Sequence, residues 1–239
     1  MLNCSMAFIH LALLAVAAIV VYGKPLEANQ KDAPQCDIPW ATYCLKSYMD
    51  QFGFNSTSTG VFPDPNSFNL ALSNYISANG LNGLANTNTW WLALQTCLGP
   101  NSYPCIFDSE KLQQIFNTDS TSEDSTLWLI TFVEEDFTNT PTAYAVYRQY
   151  YHCSVQVQTH YASAISQCQS TYFNDIAKDP SNICSYQVFF MSCLQTVYAS
   201  NCSPKLGGFV CAELSIYLRI TNPGCVDNPP AGNICYSMT

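Results

Sequence analysis

The feature that most constrains this chain is its cysteine content, thirteen cysteines in 239 residues. An apolar run over residues 7–22 leads into Val21-Tyr22-Gly23, and the small residues Val21 and Gly23 predict cleavage of a signal peptide after Gly23. The run is shorter than the roughly 18–20 residues that a membrane-spanning helix needs. Cleavage removes Cys4 and leaves an even number of cysteines in an exported chain, which predicts six disulfides in an oxidising, extracellular compartment. The remaining cysteines are Cys36, Cys44, Cys97, Cys105, Cys153, Cys168, Cys184, Cys193, Cys202, Cys211, Cys225 and Cys235.

Local signals predict a mostly α-helical fold in which disulfides staple antiparallel helices. Pro39, Asp64-Pro65 and Thr140-Pro141 mark helix starts, because proline is favoured in the first turn and Asp or Thr caps the amino end. Gly80 and Gly99-Pro100 are predicted to end helices. A further helix is predicted to begin at Asn88 or Thr89, and a long amphipathic run is predicted from Thr140-Pro141 to about Gln169. The helix that Pro39 opens is predicted to carry one stripe, formed by Trp40, Tyr43, Cys44, Ser47 and Tyr48.

The domain organisation follows from these signals. Residues 1–23 are the predicted signal peptide and residues 24–35 a flexible, polar leader. We expect an N-terminal helical region over 36–139 and a C-terminal disulfide-stapled helical region over 140–239. Within the first, the apolar segment Leu127–Val133 is interpreted as helix because its neighbours are helical.

Helix geometry limits which cysteines can pair, because bridged Cα atoms must lie within about 7 Å. Two helices, Cys184–Ser200 and Phe209–Ile220, are predicted on either side of a Pro/Gly turn over 203–208. An antiparallel hairpin of this kind predicts the pairs Cys184–Cys225 and Cys202–Cys211. A local bridge, Cys97–Cys105, is predicted across the Gly-Pro loop, and the other pairs are left open.

A faint internal repeat relates two cysteine segments. Cys36-(seven residues)-Cys44-Leu-Lys-Ser is echoed by Cys184-(eight residues)-Cys193-Leu-Gln-Thr, which suggests a duplicated helical module or a chance match. The pattern, continued by a second Cys-x8-Cys and a turn into another helix, resembles cysteine-rich helical secreted proteins of invertebrates, of nematode and mollusc types. Those families mostly lack an assigned function, so the resemblance implies an exported, helical, disulfide-bonded protein and no catalytic residues.

Charge and spacing argue against several chemistries. The chain has 8 basic and 17 acidic residues, a formal charge of −9, which disfavours nucleic-acid binding. Even the smallest cysteine spacing, as between Cys36 and Cys44, is too long for a zinc site, and His152 and His160 would lie about 12 Å apart on a helix. No Gly-x-Ser-x-Gly segment occurs. We therefore predict no enzyme, no cofactor and no metal.

The acidic run over 108–136 is the main alternative to that prediction. Glu134, Glu135 and Asp136 could supply a paired acid and base, but contiguous acids point in different directions and are usually a solvated face. Weak cation binding over 119–136 is left open. Asn55, in Asn55-Ser56-Thr57, is predicted to be glycosylated.

Aromatic residues supply the candidate binding surface. At helical spacing they are core, the lining of a hydrophobic ligand cavity or a surface for a partner, and the adjacent tryptophans cannot both face one way. We expect a secreted, non-enzymatic interaction protein that binds an extracellular partner through aromatic and acidic surfaces. Two alternatives remain: a carrier of a small hydrophobic ligand or lipid, and an acidic structural component of the extracellular matrix. The candidate binding residues are Trp90, Trp91, Tyr144, Tyr147 and Tyr151.

Overall fold

A computed structural model describes residues 36–118, 123–225 and 235–239, so the predicted signal peptide and leader lie outside the described residues. Over those residues the chain is helical and contains no strand, which confirms the predicted fold class of disulfide-stapled helices. Short 3-10 segments at Tyr103–Phe107 and Pro180–Asn182 lie between helices, and a third, Pro223–Cys225, follows the helix that ends at Thr221. The α-helices are α1 (Ile38–Asp50), α2 (Ser56–Thr59), α3 (Pro65–Ser102), α4 (Ser109–Phe116), α5 (Asp124–Thr138), α6 (Pro141–His160), α7 (Ala162–Lys178), α8 (Ile183–Asn201) and α9 (Pro204–Thr221).

The chain divides into two compact units, an amino-terminal unit that ends at Asp136 and a carboxyl-terminal unit that begins at Phe137. The division falls inside α5, slightly before the boundary that the sequence predicts between residues 139 and 140. The predicted helix over Leu127–Val133 is confirmed as part of α5.

The predicted helix starts are confirmed by their caps. The Asp64 carboxylate accepts a hydrogen bond from the backbone N–H of Ser67 (2.9 Å), and Thr140 Oγ1 accepts from the N–H of Ala143 (3.4 Å). A side-chain acceptor at this position satisfies an amino-terminal N–H group that has no partner within the helix.

Two glycines interrupt α3 where the sequence predicts breaks. Gly80 (φ 60°) and Gly99 (φ 64°) adopt non-helical conformations, and helix resumes after each of them. The segment that carries the tryptophan pair therefore begins well before Asn88 or Thr89, the starts that the sequence predicts. The predicted long run to Gln169 is likewise two helices, α6 and α7, which meet at Tyr161.

In the amino-terminal unit two nested disulfides join α1 to the end of α3 and the segment after it. They are Cys36–Cys105 and Cys44–Cys97. The predicted local pair Cys97–Cys105 is wrong. Cys97 and Cys105 lie eight residues apart, as do Cys36 and Cys44, so each cysteine on one segment meets its counterpart on an antiparallel segment instead.

In the carboxyl-terminal unit the predicted pair Cys184–Cys225 is confirmed. The predicted pair Cys202–Cys211 is wrong: Cys202 bonds to Cys153 and Cys211 to Cys235. The predicted turn over 203–208 is mostly helix, because α9 begins at Pro204. Cys211 therefore lies about 10 Å along α9 from its start, beyond bridging distance of Cys202.

The remaining bridge, Cys168–Cys193, joins α7 to α8. It bears on the suggested duplication, because Cys184 and Cys193 bond to two different segments whereas Cys36 and Cys44 bond to one. The two similar cysteine segments are therefore cross-linked to the rest of the chain in different patterns.

Among the described helices, none combines the length and the apolar character that crossing a bilayer requires.

Candidate functional site

Three of the five predicted binding residues are core residues. Trp91 is fully buried, and its ring contacts those of Tyr48 and Phe132. Tyr147 and Tyr151 are also buried, and Tyr147 stacks on Phe209 with ring centroids 5.2 Å apart. The interpretation of these three residues as a surface for a partner is wrong, because their apolar surface is used in the packing of their own unit.

The other two predicted residues are half-buried. Trp90 faces a different direction from Trp91, as the sequence predicts, and its ring contacts Phe52 (5.3 Å) and Tyr75 (4.9 Å). Tyr144 is half-buried on α6. Trp90 is thus part of an aromatic layer over the core, which leaves little of its surface for a partner.

The acidic residues at the end of α5 are not a solvated face, and that prediction is corrected. Glu134 is buried, Glu135 accepts a hydrogen bond from the Tyr48 hydroxyl (3.5 Å), and Asp136 accepts from the Tyr103 hydroxyl. Gln95 donates to both Tyr103 (2.7 Å) and Asp136 (3.2 Å). These acids therefore connect α5 to α1 and α3.

The same contacts perturb two tyrosines. Burial, and after it the charge of Glu135, raises the pKa of Tyr48 well above its usual value. Burial and the hydrogen bond to Asp136 raise the pKa of Tyr103 in the same way. Both hydroxyls therefore remain protonated donors over the physiological pH range.

Within the part of the chain that the structure describes, no group of three or more His, Cys, Asp and Glu side chains could hold a metal ion. His152 and His160 are exposed on α6. Asn55 is exposed in a left-handed conformation (φ 54°), and the Asp50 carboxylate accepts from the backbone N–H groups of Ser56 and Thr57. The predicted glycosylation acceptor thus sits at an exposed position immediately before α2.

An exposed aromatic pair lies elsewhere, at the start of α1. Trp40 and Tyr43 are 45% and 53% exposed, and their rings stack with centroids 5.4 Å apart. Trp40 Nε1 donates a 2.7 Å hydrogen bond to the carbonyl oxygen of Cys97, which fixes the indole in place. Large aromatic side chains that are both exposed and immobilised are typical of protein-recognition surfaces.

Trp40 also lines an open groove of about 900 Å³. One wall is the chain from Cys36 to Trp40, and the other is the chain from Cys97 to Ser102, around the kink at Gly99. A second depression of about 440 Å³ shares Gly99 and Pro100 with the groove, and Gln95, Thr96 and Tyr103 also line it.

The disulfides hold both walls of this groove. Cys36 and Cys97 line it, and each is bonded across to the opposite segment, to Cys105 and Cys44 respectively. Gly99 has a positive φ of 64° that other residues rarely adopt, and nothing lies within 4 Å of where its Cβ would be. The groove is thus a fixed feature of the amino-terminal unit.

Charge is distributed very unevenly along the chain. Residues 36–136 contain eleven acidic and two basic residues, 2 − 11 = −9, whereas residues 137–239 contain four of each and have no formal charge. The whole formal charge of the protein therefore belongs to the unit that carries the groove. The acidic residues of that unit are Asp37, Asp50, Asp64, Asp108, Glu110, Asp119, Glu123, Asp124, Glu134, Glu135 and Asp136, and the basic ones are Lys46 and Lys111.

Sequence reasoning missed Trp40 and Tyr43 because it placed them on the apolar stripe of α1. The buried face of α1 is instead centred on Ala41, Leu45 and Met49. Tyr43 lies two residues from both Ala41 and Leu45, about 200° around the helix from each. The four-residue spacing of Ala41, Leu45 and Met49 was the sequence signal for the buried face of α1.

Comparison with protein-family models, with curated proteins and with solved structures finds nothing that matches this chain.

Proposed function

We propose that this chain is a secreted, non-enzymatic interaction protein that binds an extracellular partner through the groove beside Trp40 and Tyr43. The observation that carries the proposal is the stacked pair itself, two large rings about half exposed, of which Trp40 lines the groove and Tyr43 stacks on Trp40. Buried aromatic anchors supply much of the free energy of association at protein interfaces, so covering these rings would contribute strongly to binding.

The rigidity of the site supports the same proposal. A surface that is already ordered loses little conformational entropy when a partner binds. Trp40 is fixed by its hydrogen bond to Cys97, and two disulfides fix the walls. Six disulfides are in turn typical of proteins that mature in an oxidising compartment, which supports secretion.

The packing favours an interaction protein over a carrier of a hydrophobic ligand. Trp91, Tyr147 and Tyr151, the residues that would line an internal cavity, pack against other side chains of their own unit. The exposed aromatic surface lies at an open groove, which suits a partner that covers it from outside.

The test compares two exposed aromatic residues. The wild-type protein, a Tyr43→Ser variant and a Phe189→Ser variant are each immobilised and exposed to extracellular fluid from the source organism. Phe189 is 71% exposed on α8, which belongs to the carboxyl-terminal unit and not to the unit that carries the groove, so it controls for loss of apolar surface in general. Quantitative mass spectrometry should show a set of proteins that is lost with Tyr43→Ser and retained with Phe189→Ser. The same set on all three baits would contradict the proposal.

Secretion and modification have their own measurement. Intact mass of the product collected outside the cell should correspond to a chain that begins after Gly23 and contains six disulfides. Removal of N-linked glycans should lower that mass, and an Asn55→Gln variant should show no such change. A product that retains residues 1–23 or contains several free thiols would contradict this part of the proposal.

A further inference from the structure

Building on that proposed function, we infer that the partner enters the groove as an extended basic segment, with arginine or lysine side chains against Trp40, Tyr43 and Asp37. Three features of the amino-terminal unit point to a cation: its net charge, the chemistry of the groove wall and the nature of the exposed rings.

Charge complementarity is the first feature. The unit carries a formal charge of −9, and both of its described lysines are half-buried. Asp37 is exposed on the wall of the groove. Asp136 does not line either depression, but it is hydrogen-bonded to Gln95 and Tyr103, which line the second one. A field of one sign at a concave site attracts and orients a partner of the opposite charge.

Backbone carbonyls are the second feature. The Cys97 carbonyl accepts from Trp40, which places the carbonyl end of the helical segment before Gly99 at the groove wall. The carbonyl end of a helix carries partial negative charge and interacts favourably with a cation.

The exposed rings are the third feature. The faces of Trp and Tyr rings attract guanidinium and ammonium groups, and arginine is the more frequent partner. The same unit uses this interaction internally, where Lys46 Nζ lies 5.2 Å from the centroid of the Phe62 ring. A basic side chain in the groove would therefore meet aromatic and carboxylate groups together at Trp40 and Asp37.

The shape of the groove favours an extended segment over a small cationic molecule. Sites for small molecules usually enclose most of the ligand. Here the groove is open, and a second open depression shares Gly99 and Pro100 with it. That geometry accommodates several residues of an extended chain.

The experiment measures binding of a fluorescein-labelled peptide of alternating glycine and arginine, nine residues long, by fluorescence anisotropy. The comparison peptide replaces each arginine with citrulline, which has a similar shape and no charge. We expect the arginine peptide to bind wild-type protein at least tenfold more tightly than the citrulline peptide, with a difference that shrinks as salt rises.

A matched pair of variants separates the groove from the general field of the unit. Asp37→Asn and Asp64→Asn make the same charge change, and asparagine caps a helix as well as aspartate does, so both variants should fold. Only Asp37 lines the groove. Asp37→Asn should weaken peptide binding about threefold and Asp64→Asn hardly at all, in the range expected for an exposed charge pair. Tyr43→Leu should weaken it by a similar factor without changing the charge.

Each contrary result has a definite meaning. Equal weakening by Asp37→Asn and Asp64→Asn, or none by Tyr43→Leu, would reduce the binding to nonspecific attraction and overturn the inference. Tight, Tyr43-dependent binding of the citrulline peptide would overturn the basic partner but support the proposed function. No binding of the arginine peptide at millimolar concentration would overturn the inference, and the comparison of Tyr43→Ser with Phe189→Ser would still decide the proposed function. If the protein self-associates with rising concentration and Asp37→Asn abolishes that association, the inference is overturned, because the occupant of the groove is a second copy of this chain and not a basic segment.

Discussion

The amino-terminal unit places two nested disulfides at one edge of a core of contacting aromatic rings, whereas the carboxyl-terminal unit distributes four disulfides among its helices and its last residues. At the centre of the first core Trp128 lies parallel to Phe116, with centroids 4.4 Å apart, and also contacts Phe68. In the second unit Tyr147 stacks on Phe209 and Tyr172 on Phe190, but Cys211–Cys235 also attaches the short segment over 235–239.

This difference explains how the amino-terminal unit can carry its net charge. An aromatic core buries a large apolar area per residue, so the surface above it can bear net charge without loss of the fold. The amino-terminal unit combines this core with a formal charge of −9 and the exposed pair Trp40 and Tyr43. The carboxyl-terminal unit has no formal charge and relies more on covalent links.

The largest expected effect comes from the aromatic core. Trp128→Ala removes a side chain that is 1% exposed, and we expect it to destabilise the amino-terminal unit by about 3–5 kcal/mol. Hydrogen exchange followed by mass spectrometry should show faster exchange in peptides from residues 36–136 and little change in peptides from 137–239. Leu92→Ala, at a site 48% exposed, is the control and should change little. Equal loss of protection in both units would show that they do not unfold separately.

Disulfides give the next largest effect, and they compare the units directly. In the chain-entropy account, removal of Cys44–Cys97, which spans 53 residues, costs about 4 kcal/mol, and removal of Cys168–Cys193, which spans 25, costs about 3.5 kcal/mol. Paired Cys→Ala variants followed by urea unfolding test this order. A larger loss for Cys168–Cys193 would indicate that the aromatic core compensates for the missing bridge in the amino-terminal unit.

A smaller effect is expected where α9 contacts the end of the chain. A Cβ at Gly208 would overlap the carbonyl oxygen of Tyr236, whose backbone N–H donates to the Gln195 side chain (2.6 Å). Gly208→Ala should cost about 1–3 kcal/mol, as other overpacked sites do, and should increase proteolysis after Tyr236. Gly224→Ala is the matched control, because nothing lies within 4 Å of its Cβ position. Equal proteolysis of the two variants would argue against a tightly packed carboxyl end.

The same glycines show why part of the carboxyl-terminal unit could not be predicted from sequence. Gly207 and Gly208 are typical of a turn, yet in α9 they allow close packing: a Cβ at Gly207 would lie 2.7 Å from the carbonyl oxygen of Gln195. Glycine permits both a turn and a close approach, and only the position of the neighbouring chain distinguishes them. The wrong pair Cys202–Cys211 followed from this one choice.

The disulfide pairing of the amino-terminal unit was also not predicted, for a related reason. The sequence predicts nested bridges of an antiparallel hairpin at Cys184–Cys225 and Cys202–Cys211. The rule behind that prediction is that paired cysteines have similar spacings on the two antiparallel segments. The equal spacing of Cys36 to Cys44 and Cys97 to Cys105 satisfies the rule better. Helix starts and breaks depend on local chemistry and were predictable, whereas pairing depends on which helices become neighbours.

The candidate site was predictable only in part. The sequence indicated aromatic and acidic surfaces but assigned them to buried residues such as Trp91 and to Glu135, which is hydrogen-bonded within the unit. Whether an aromatic residue on a helix is exposed depends on its angular distance from the centre of the buried face. A broad stripe of aromatic residues does not show where that centre lies.

The smallest effect at neutral pH, and the one that tests the charge difference between the units, concerns buried tyrosines. Burial raises the pKa of Tyr48 and Tyr103 in one unit and of Tyr151 and Tyr172 in the other, but carboxylates add to the shift only for the first two. A tyrosine whose pKa is higher in the folded state stabilises the fold below the unfolded pKa of about 10, and that stability is lost as pH rises further. The free energy of unfolding should therefore be insensitive to these groups at pH 7–9 and decrease above about pH 10.

Salt and removal of the Tyr48 hydroxyl distinguish the two causes of the loss of stability above pH 10, which are nearby carboxylates and burial. Salt screens the carboxylates, so it should reduce the loss in the amino-terminal unit more than in the carboxyl-terminal unit, where the cause is burial. Tyr48→Phe should leave stability at pH 7 nearly unchanged, since its hydrogen bond to Glu135 is long at 3.5 Å, and should make the pH dependence above pH 10 shallower. Tyr172→Phe is the control in the other unit. Urea unfolding at pH 7 and at intervals above pH 9, in low and high salt, measures the free energy of unfolding of the wild-type protein and of both variants. An equal salt effect on both units would contradict a contribution of Glu135 and Asp136 to the loss of stability at high pH.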